Sequence, residues 1–229
     1  MEAVTIGRAT LFNADCADVL AHWPECFGVS AVVTDPPYGI KADSTMAKQG
    51  GTQYGKAAAP KKRYEASDWD SKPIDFDLLM RLISLGRWQI VFGGNYYPMP
   101  AASCWLVWDK VNGENNFADC ELAWTNLPRA VRLKRYMWNG MLREKGAQRG
   151  DHPTQKPLEV MKWCIEQLPD DVETILDPFA GSGTTGVAAI QRGKAFIGIE
   201  REPKYFEAMC RRIREANGDD AGPLFGEAA

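Results

Sequence analysis

Asp35, Pro36, Pro37 and Tyr38 place an acceptor-only carboxylate, a stiffened backbone and an aromatic plate within four residues. That combination suits methylation of an exocyclic amine. The lone pair of an adenine or cytosine amino nitrogen is delocalised into the ring, so the nitrogen is a poor nucleophile until hydrogen-bond acceptors draw it toward a tetrahedral geometry. Ionised Asp35 accepts without donating and supplies one acceptor. The Pro36 carbonyl would be the second, turned outward because the prolines fix φ and restrict the residues before them. Tyr38 offers a flat face to a base extruded from a duplex. The same residues also suit a plain turn after a strand, with Tyr38 on its rim, and the tetrapeptide alone does not choose between them.

A second motif lies far downstream. Thr174-Ile175-Leu176 predicts a short strand, and the run from Asp177 through Gly186 that follows predicts a glycine-rich turn leading into a helix through Ile190. Glycines there let the main chain approach a ligand closely. The next strand, Ala195 to Ile199, ends in Glu200, whose carboxylate is placed to accept from both ribose hydroxyls of a nucleoside cofactor. This is the pattern of a Rossmann-type nucleoside site. Gly181, Gly183 and Gly186 also satisfy G-x-G-x-x-G, with Glu200 about twenty residues on. On these residues alone NAD competes as the ligand, and an NAD-dependent oxidoreductase stays open.

Three segments together, Asp35 to Tyr38, His152-Pro153-Thr154-Gln155-Lys156-Pro157 and Asp177 to Thr185, resemble the motifs of the DNA amino-methyltransferases that use S-adenosylmethionine. The catalytic motif precedes the cofactor loop, which resembles the permuted order of the beta class, and the resemblance runs from about Thr10 to about Arg212. It implies an α/β Rossmann-like methyltransferase fold: a mixed, mostly parallel sheet with an antiparallel hairpin and circularly permuted motif order. It also implies methyl transfer from S-adenosylmethionine to the N6 amino group of an adenine flipped out of DNA. An aspartate at the first catalytic position mostly accompanies adenine in that family, and a serine mostly accompanies cytosine N4, so N4-cytosine is the alternative. A methyltransferase acting on RNA or protein is a more distant one.

Residue by residue, the resemblance makes Asp35, Pro36, Pro37 and Tyr38 catalytic. In Asn13-Ala14-Asp15-Cys16, the Asp15 carboxylate and the Cys16 main-chain amide would meet the cofactor's adenine. Thr154 would hold the methionine carboxylate and Lys156 would add charge there. Asp177, Pro178, Phe179, Gly181, Gly183 and Thr184 would line the methionine and ribose side, with Asp35 at its border and Glu200 on the ribose. In-line displacement needs no covalent enzyme intermediate, so Cys16 is not a nucleophile.

The elements that must position these groups alternate between strand and helix. Val29 to Thr34 predicts a buried strand that delivers Asp35 at its carboxyl end, where ligands bind in open α/β sheets. Strands are also predicted over Ala9 to Asn13, Trp88 to Phe92, Cys104 to Trp108 and Glu121 to Trp124, the last two as antiparallel neighbours. Helices are predicted near Cys16 to Trp23, over Phe76 to Leu85, from a starting proline at Pro157 to Leu168, and from Pro203 to about Ala216. Trp88, Trp105, Trp108 and Trp124 read as core. Gly93 to Tyr97 reads either as a tight turn or as pocket lining through Asn95 or Tyr96. Lys41 to Ser67 reads as an irregular segment, mobile without DNA. These expectations amount to one catalytic domain over 1–217, with a disordered tail over 218–229.

A chain of 229 residues can bury a full core, and it has neither a basic-then-apolar leader nor an apolar run of about eighteen residues. The expectation is a soluble cytoplasmic protein without a membrane. Six cysteines lack any C-x-x-C spacing and only His22 and His152 are present, so no metal site is expected. DNA binding asks for a basic surface, yet the formal charge is −3. Lys41 to Arg63 and Arg129 to Arg149 are locally basic, and either run alone also fits a solvated face. The family's target-recognition segment lies just before the HPTQKP motif. The resemblance therefore implies a short one at about 127–150, with Arg129, Arg132, Lys134, Arg135, Tyr136, Arg143 and Lys145 on DNA. It leaves room for a homodimer and for a cognate restriction endonuclease as partners.

Overall fold

The computed structural model describes residues 2–22, 28–40, 72–112, 118–138 and 155–218. Most strands form where β-branched and aromatic residues concentrate. They are β1 (Ala3–Ile6), β2 (Ala9–Asn13), β3 (Ala31–Thr34), β4 (Trp88–Phe92), β5 (Trp105–Asp109), β6 (Cys120–Thr125), β7 (Arg132–Arg135), β8 (Thr174–Asp177) and β9 (Ala195–Glu200). Among the described residues they make a nine-stranded sheet ordered β1-β2-β9-β8-β3-β4-β6-β5-β7. The run β2-β9-β8-β3-β4 is parallel throughout, and β7 lies parallel to β5. Antiparallel pairing joins β1 to β2, β4 to β6 and β6 to β5. The fold is the mixed, mostly parallel α/β sheet of the expectation, with β5 and β6 as its antiparallel hairpin.

Successive side chains of a strand point to opposite faces, and here both faces are covered. Val33, Ile90, Ile175 and Phe196 pack in one core with α3 (Leu158–Glu166), α4 (Thr184–Gln191) and α5 (Pro203–Asn217). Their neighbours Val32, Val91, Leu176 and Ile197 pack on the other side with α1 (Cys16–Ala21) and α2 (Phe76–Ile83). This is why the central strands read as continuous apolar runs rather than alternating ones. Trp108 and Trp124 are buried and Trp88 and Trp105 half-buried, as core positions. No helix among the described residues is long and apolar enough to cross a membrane.

Three departures from the expected elements have physical causes. Strand β1 was not read; it folds back on β2 through a two-residue turn at Gly7 and Arg8, with Gly7 at φ 53. Strand β7 was read only as a basic run, because an edge strand solvated on both sides carries no apolar alternation. Pro157 caps α3 from outside, with ψ 137, rather than opening its first turn. Gly218, the first residue of the expected tail, is the left-handed cap of α5, and residues 219–229 and the Lys41 to Ser67 segment lie outside the described residues.

Helix α4 packs closely because it carries Gly186, where a Cβ would come within 2.6 Å of the Phe196 ring and of the Ile213 side chain. Gly186→Ala should destabilise the protein by about 1–3 kcal/mol despite the better helix propensity of alanine. Urea denaturation checks this, and an unchanged midpoint would show that the contact between α4 and the sheet is loose.

Candidate active site

Strands β2, β9, β8 and β3 lie side by side and parallel, so their carboxyl ends bring chemistry from distant parts of the chain to one edge. Asp15, Glu200, Asp177 and Asp35 follow or end these strands, and all four border one cleft of about 150 Å³. Cys16, Pro37, Lys156, Pro178, Phe179, Gly181 and Thr184 also line it. Pro36, Tyr38 and Gly183 stand outside the lining.

Asp177 is the innermost of the four acids. Its Oδ1 accepts from the Thr34 hydroxyl at 2.7 Å and from the Phe179 amide at 3.1 Å, and its Oδ2 accepts from the Thr185 hydroxyl at 2.6 Å. Burial pushes its carboxyl up to about 6, against these hydrogen bonds, which favour the ionised form. Glu200 is engaged at both oxygens by main-chain amides, Gly181 at 2.8 Å and Glu202 at 2.8 Å, and burial raises its carboxyl as well. It thus pins the glycine turn from across the cleft while keeping a lone pair on each oxygen.

The three glycines of the turn have different reasons. Gly181 has φ 53, and a Cβ there would point into open space beside the cleft. Gly183, at φ 79, would place a Cβ within 2.6 Å of Met209 on α5. Gly183 and Gly186 therefore serve packing, and Gly181 alone faces ligand space. Arg212 steadies the turn from behind, donating to the Ser182 carbonyl at 2.6 Å and to the Thr184 hydroxyl at 3.1 Å, while Ser182 donates to Gln155 at 2.9 Å. Asp15 caps α1 by accepting from the Ala17 amide at 2.8 Å. Burial, with Asp15 beside it, pushes the Cys16 thiol up to about 12, so it is no thiolate at neutral pH.

Asp35 is held at both oxygens. The Tyr38 hydroxyl donates to Oδ1, and Lys156 Nζ donates to Oδ2 at 2.5 Å. Lys156, expected at the methionine end of a cofactor, lines the cleft with a side chain 10% exposed and bridges Asp35 to Glu121, 3.1 Å away. Glu121 also pairs with Lys110 at 2.6 Å. Burial would lower the Lys156 ammonium and raise the Glu121 carboxyl, but the opposite charges prevail and hold Lys156 above and Glu121 below their usual ranges. The Pro37 carbonyl is taken by the Tyr97 hydroxyl at 2.5 Å and the Ile74 amide at 3.3 Å. Nothing among the described residues donates to the Pro36 carbonyl.

Tyr38 lies against Gly93, where a Cβ would fall 2.1 Å from its ring, and stacks on the 53% exposed Tyr96 with centroids 4.9 Å apart. The segment after β4 is a turn that packs around Tyr38 through Gly93 and Tyr96, and none of it is in the cleft lining. Sequence reasoning passed over Glu121 and Tyr97. For Glu121 a signal existed, a lone acid in the otherwise uncharged strand run from Cys120 to Thr125.

Thr154, Arg143 and Lys145 lie outside the described residues. Arg132, Lys134 and Arg135 form edge strand β7, and Arg135 is tied to Asp109 at 2.9 Å. Arg129 precedes that strand, and Tyr136 lies against the core, with its carbonyl accepting from the Trp108 ring nitrogen at 2.9 Å.

Comparison with known proteins gives the same direction. Residues 102–211 match the DNA methylase family model. Over 80 residues the chain is 41% identical to the Type II methyltransferase M2.LlaDCHI of Lactococcus lactis subsp. cremoris, covering 34% of this chain and 30% of that protein. Over 74 residues it is 45% identical to the DNA adenine methyltransferase YhdJ of Escherichia coli (strain K12), covering 32% and 25%. These matches span less than a third of each curated relative. A solved M1.HpyAVI–SAM complex shares the fold, with a TM-score of 0.58 at 22% identity over 89% of this chain and 99% of that one.

The buried Asp177 predicts a pH dependence. Its folded pKa lies above the ordinary aspartate value of 3.8 at about 6, so its contribution to stability is full below about pH 4 and is lost as pH rises through 6. Asp177→Asn should remove up to about 3 kcal/mol of that slope relative to the parent chain. Denaturation between pH 4 and 7 checks it; parallel profiles for the two proteins would mean the carboxylate is ionised throughout at no cost.

Proposed function

We propose that this chain, whose residues 102–211 match the DNA methylase family model, transfers a methyl group from S-adenosylmethionine to the N6 amino group of adenine in DNA. One observation carries the reading: the Asp35 carboxylate, held at both oxygens, borders the same cleft that Glu200 and Gly181 line. S-adenosylmethionine, when bound, supplies an electrophilic methyl group. The cleft suits it: Gly181 leaves open space, Glu200 keeps acceptor capacity for ribose hydroxyls, and Asp15 and Cys16, to which we assign the adenine end, line the same cleft. An NAD-dependent oxidoreductase would leave the Asp35 arrangement without a role.

In this reading Asp35 and Pro36 accept from the target amine and draw its lone pair out of conjugation, and Tyr38 braces Asp35 through its hydroxyl. Most of the acceleration comes from acceptors fixed before the base arrives. Asp177 joins Thr34 to the glycine turn and sets the distance between the two halves. Thr154 we assign to the methionine carboxylate on the motif alone. Arg129, Arg132 and Lys134 we assign to DNA phosphates, with Arg143 and Lys145 from the same run.

Nucleoside mass spectrometry of DNA from cells expressing the chain should show N6-methyladenine, and Asp35→Ala should abolish it through a loss on the order of 3 kcal/mol in the transition state. N4-methylcytosine in its place would overturn the choice of base, and full activity of a folded Asp35→Ala protein would overturn the mechanism.

For the interface, DNA affinity should fall steeply with salt, and Arg132→Ala with Lys134→Ala should flatten the slope by up to about 0.9 for each phosphate no longer neutralised. Binding isotherms over a salt series read this directly. An unchanged slope would return β7 to a solvated edge.

A further inference from the structure

We propose that Lys156 and Glu121 are positioning residues for Asp35, serving the amine acceptor rather than the methionine carboxylate; the inference rests on the methyltransferase reading above. A carboxylate on a loop rotates freely unless both oxygens are held. Here donors of different kinds hold them, the Tyr38 hydroxyl at Oδ1 and Lys156 Nζ at Oδ2, 2.5 Å away. Each oxygen keeps a further lone pair for a substrate N–H.

Lys156 is itself fixed. Its ammonium reaches Glu121 at 3.1 Å and stands 5.2 Å from the centroid of the Phe92 ring, and Glu121 is anchored in turn by Lys110 at 2.6 Å. The charges alternate along Asp35, Lys156, Glu121 and Lys110, so no member is left buried and uncompensated. These groups come from the end of β3, the approach to α3, strand β6 and the end of β5, and they converge only through the fold. For Lys156 to bind a methionine carboxylate instead, it would have to abandon two carboxylates it already neutralises.

The test uses the full chain with Lys156→Met, Lys156→Arg, Glu121→Gln and the combination of Lys156→Met with Glu121→Gln. Single-turnover methylation and calorimetric binding of S-adenosylhomocysteine are measured on each. Lys156→Met should slow methyl transfer by about thirtyfold or more, the scale of a displaced reacting group, while S-adenosylhomocysteine affinity stays within about twofold. Lys156→Arg should recover part of the rate. Glu121→Gln should slow transfer several-fold, and the combined variant should be no slower than Lys156→Met, as members of one network are non-additive.

Weakened S-adenosylhomocysteine binding with the rate retained would place Lys156 on the cofactor and overturn the proposal, as would full rates in folded Lys156→Met and Glu121→Gln. If Lys156→Met does not fold, Lys156→Arg and Glu121→Gln decide on the same criteria. A parent chain that methylates no DNA refutes the activity, and the positioning role is then read from crystals of Glu121→Gln. An Asp35 carboxylate turned from its place supports the role, and one unmoved overturns it.

Discussion

The hydrogen bond from Thr34 to Asp177 joins residues 143 positions apart and closes the middle of the sheet. Both lie at the carboxyl ends of neighbouring parallel strands, β3 and β8, and both are buried. A buried carboxylate without partners would be costly. With Thr34, Thr185 and the Phe179 amide as donors, it becomes a three-way junction between the loop bearing Asp35, the glycine turn and the first turn of α4. The spacing between the loop bearing Asp35 and the glycine turn follows from that junction.

A second polar chain works on the other side of Asp35. Asp177 is buried and held by hydroxyls and an amide, and burial raises its proton affinity despite those donors, whereas Asp35 is held by an ammonium and a phenol hydroxyl. The two aspartates share a residue type and a strand-end location but face different tasks. One is committed mainly to donors inside the protein, and the other keeps a lone pair on each oxygen.

The sheet was legible because its central strands are apolar on both faces, and Asp35, Asp177 and Glu200 were legible because each follows such a run. What escaped reading depended on long-range partners. Gly183 and Gly186 satisfy a ligand-binding pattern in the sequence, but only the packing of α5 and β9 against them shows that they make room for Met209, Phe196 and Ile213. Lys156 sits in a motif whose neighbours suggested a cofactor contact, and its ion-pair partners in the fold come from β6 and the end of β3. Gly93 gave a turn signal, but nothing local to it announces the Tyr38 ring. β7 hid because charge at alternate and adjacent positions masks an edge strand.

The strand order also bears on how the protein is made. β3 is made well before one of its two sheet neighbours, β8, and β2 well before its neighbour β9. Pairings of such sequence separation are slow to form and leave strand edges exposed meanwhile. The nascent chain therefore carries Asp35 and its prolines long before Asp177, the glycine turn and Glu200 can join them. The cleft cannot close until β8 and β9 have paired between β2 and β3.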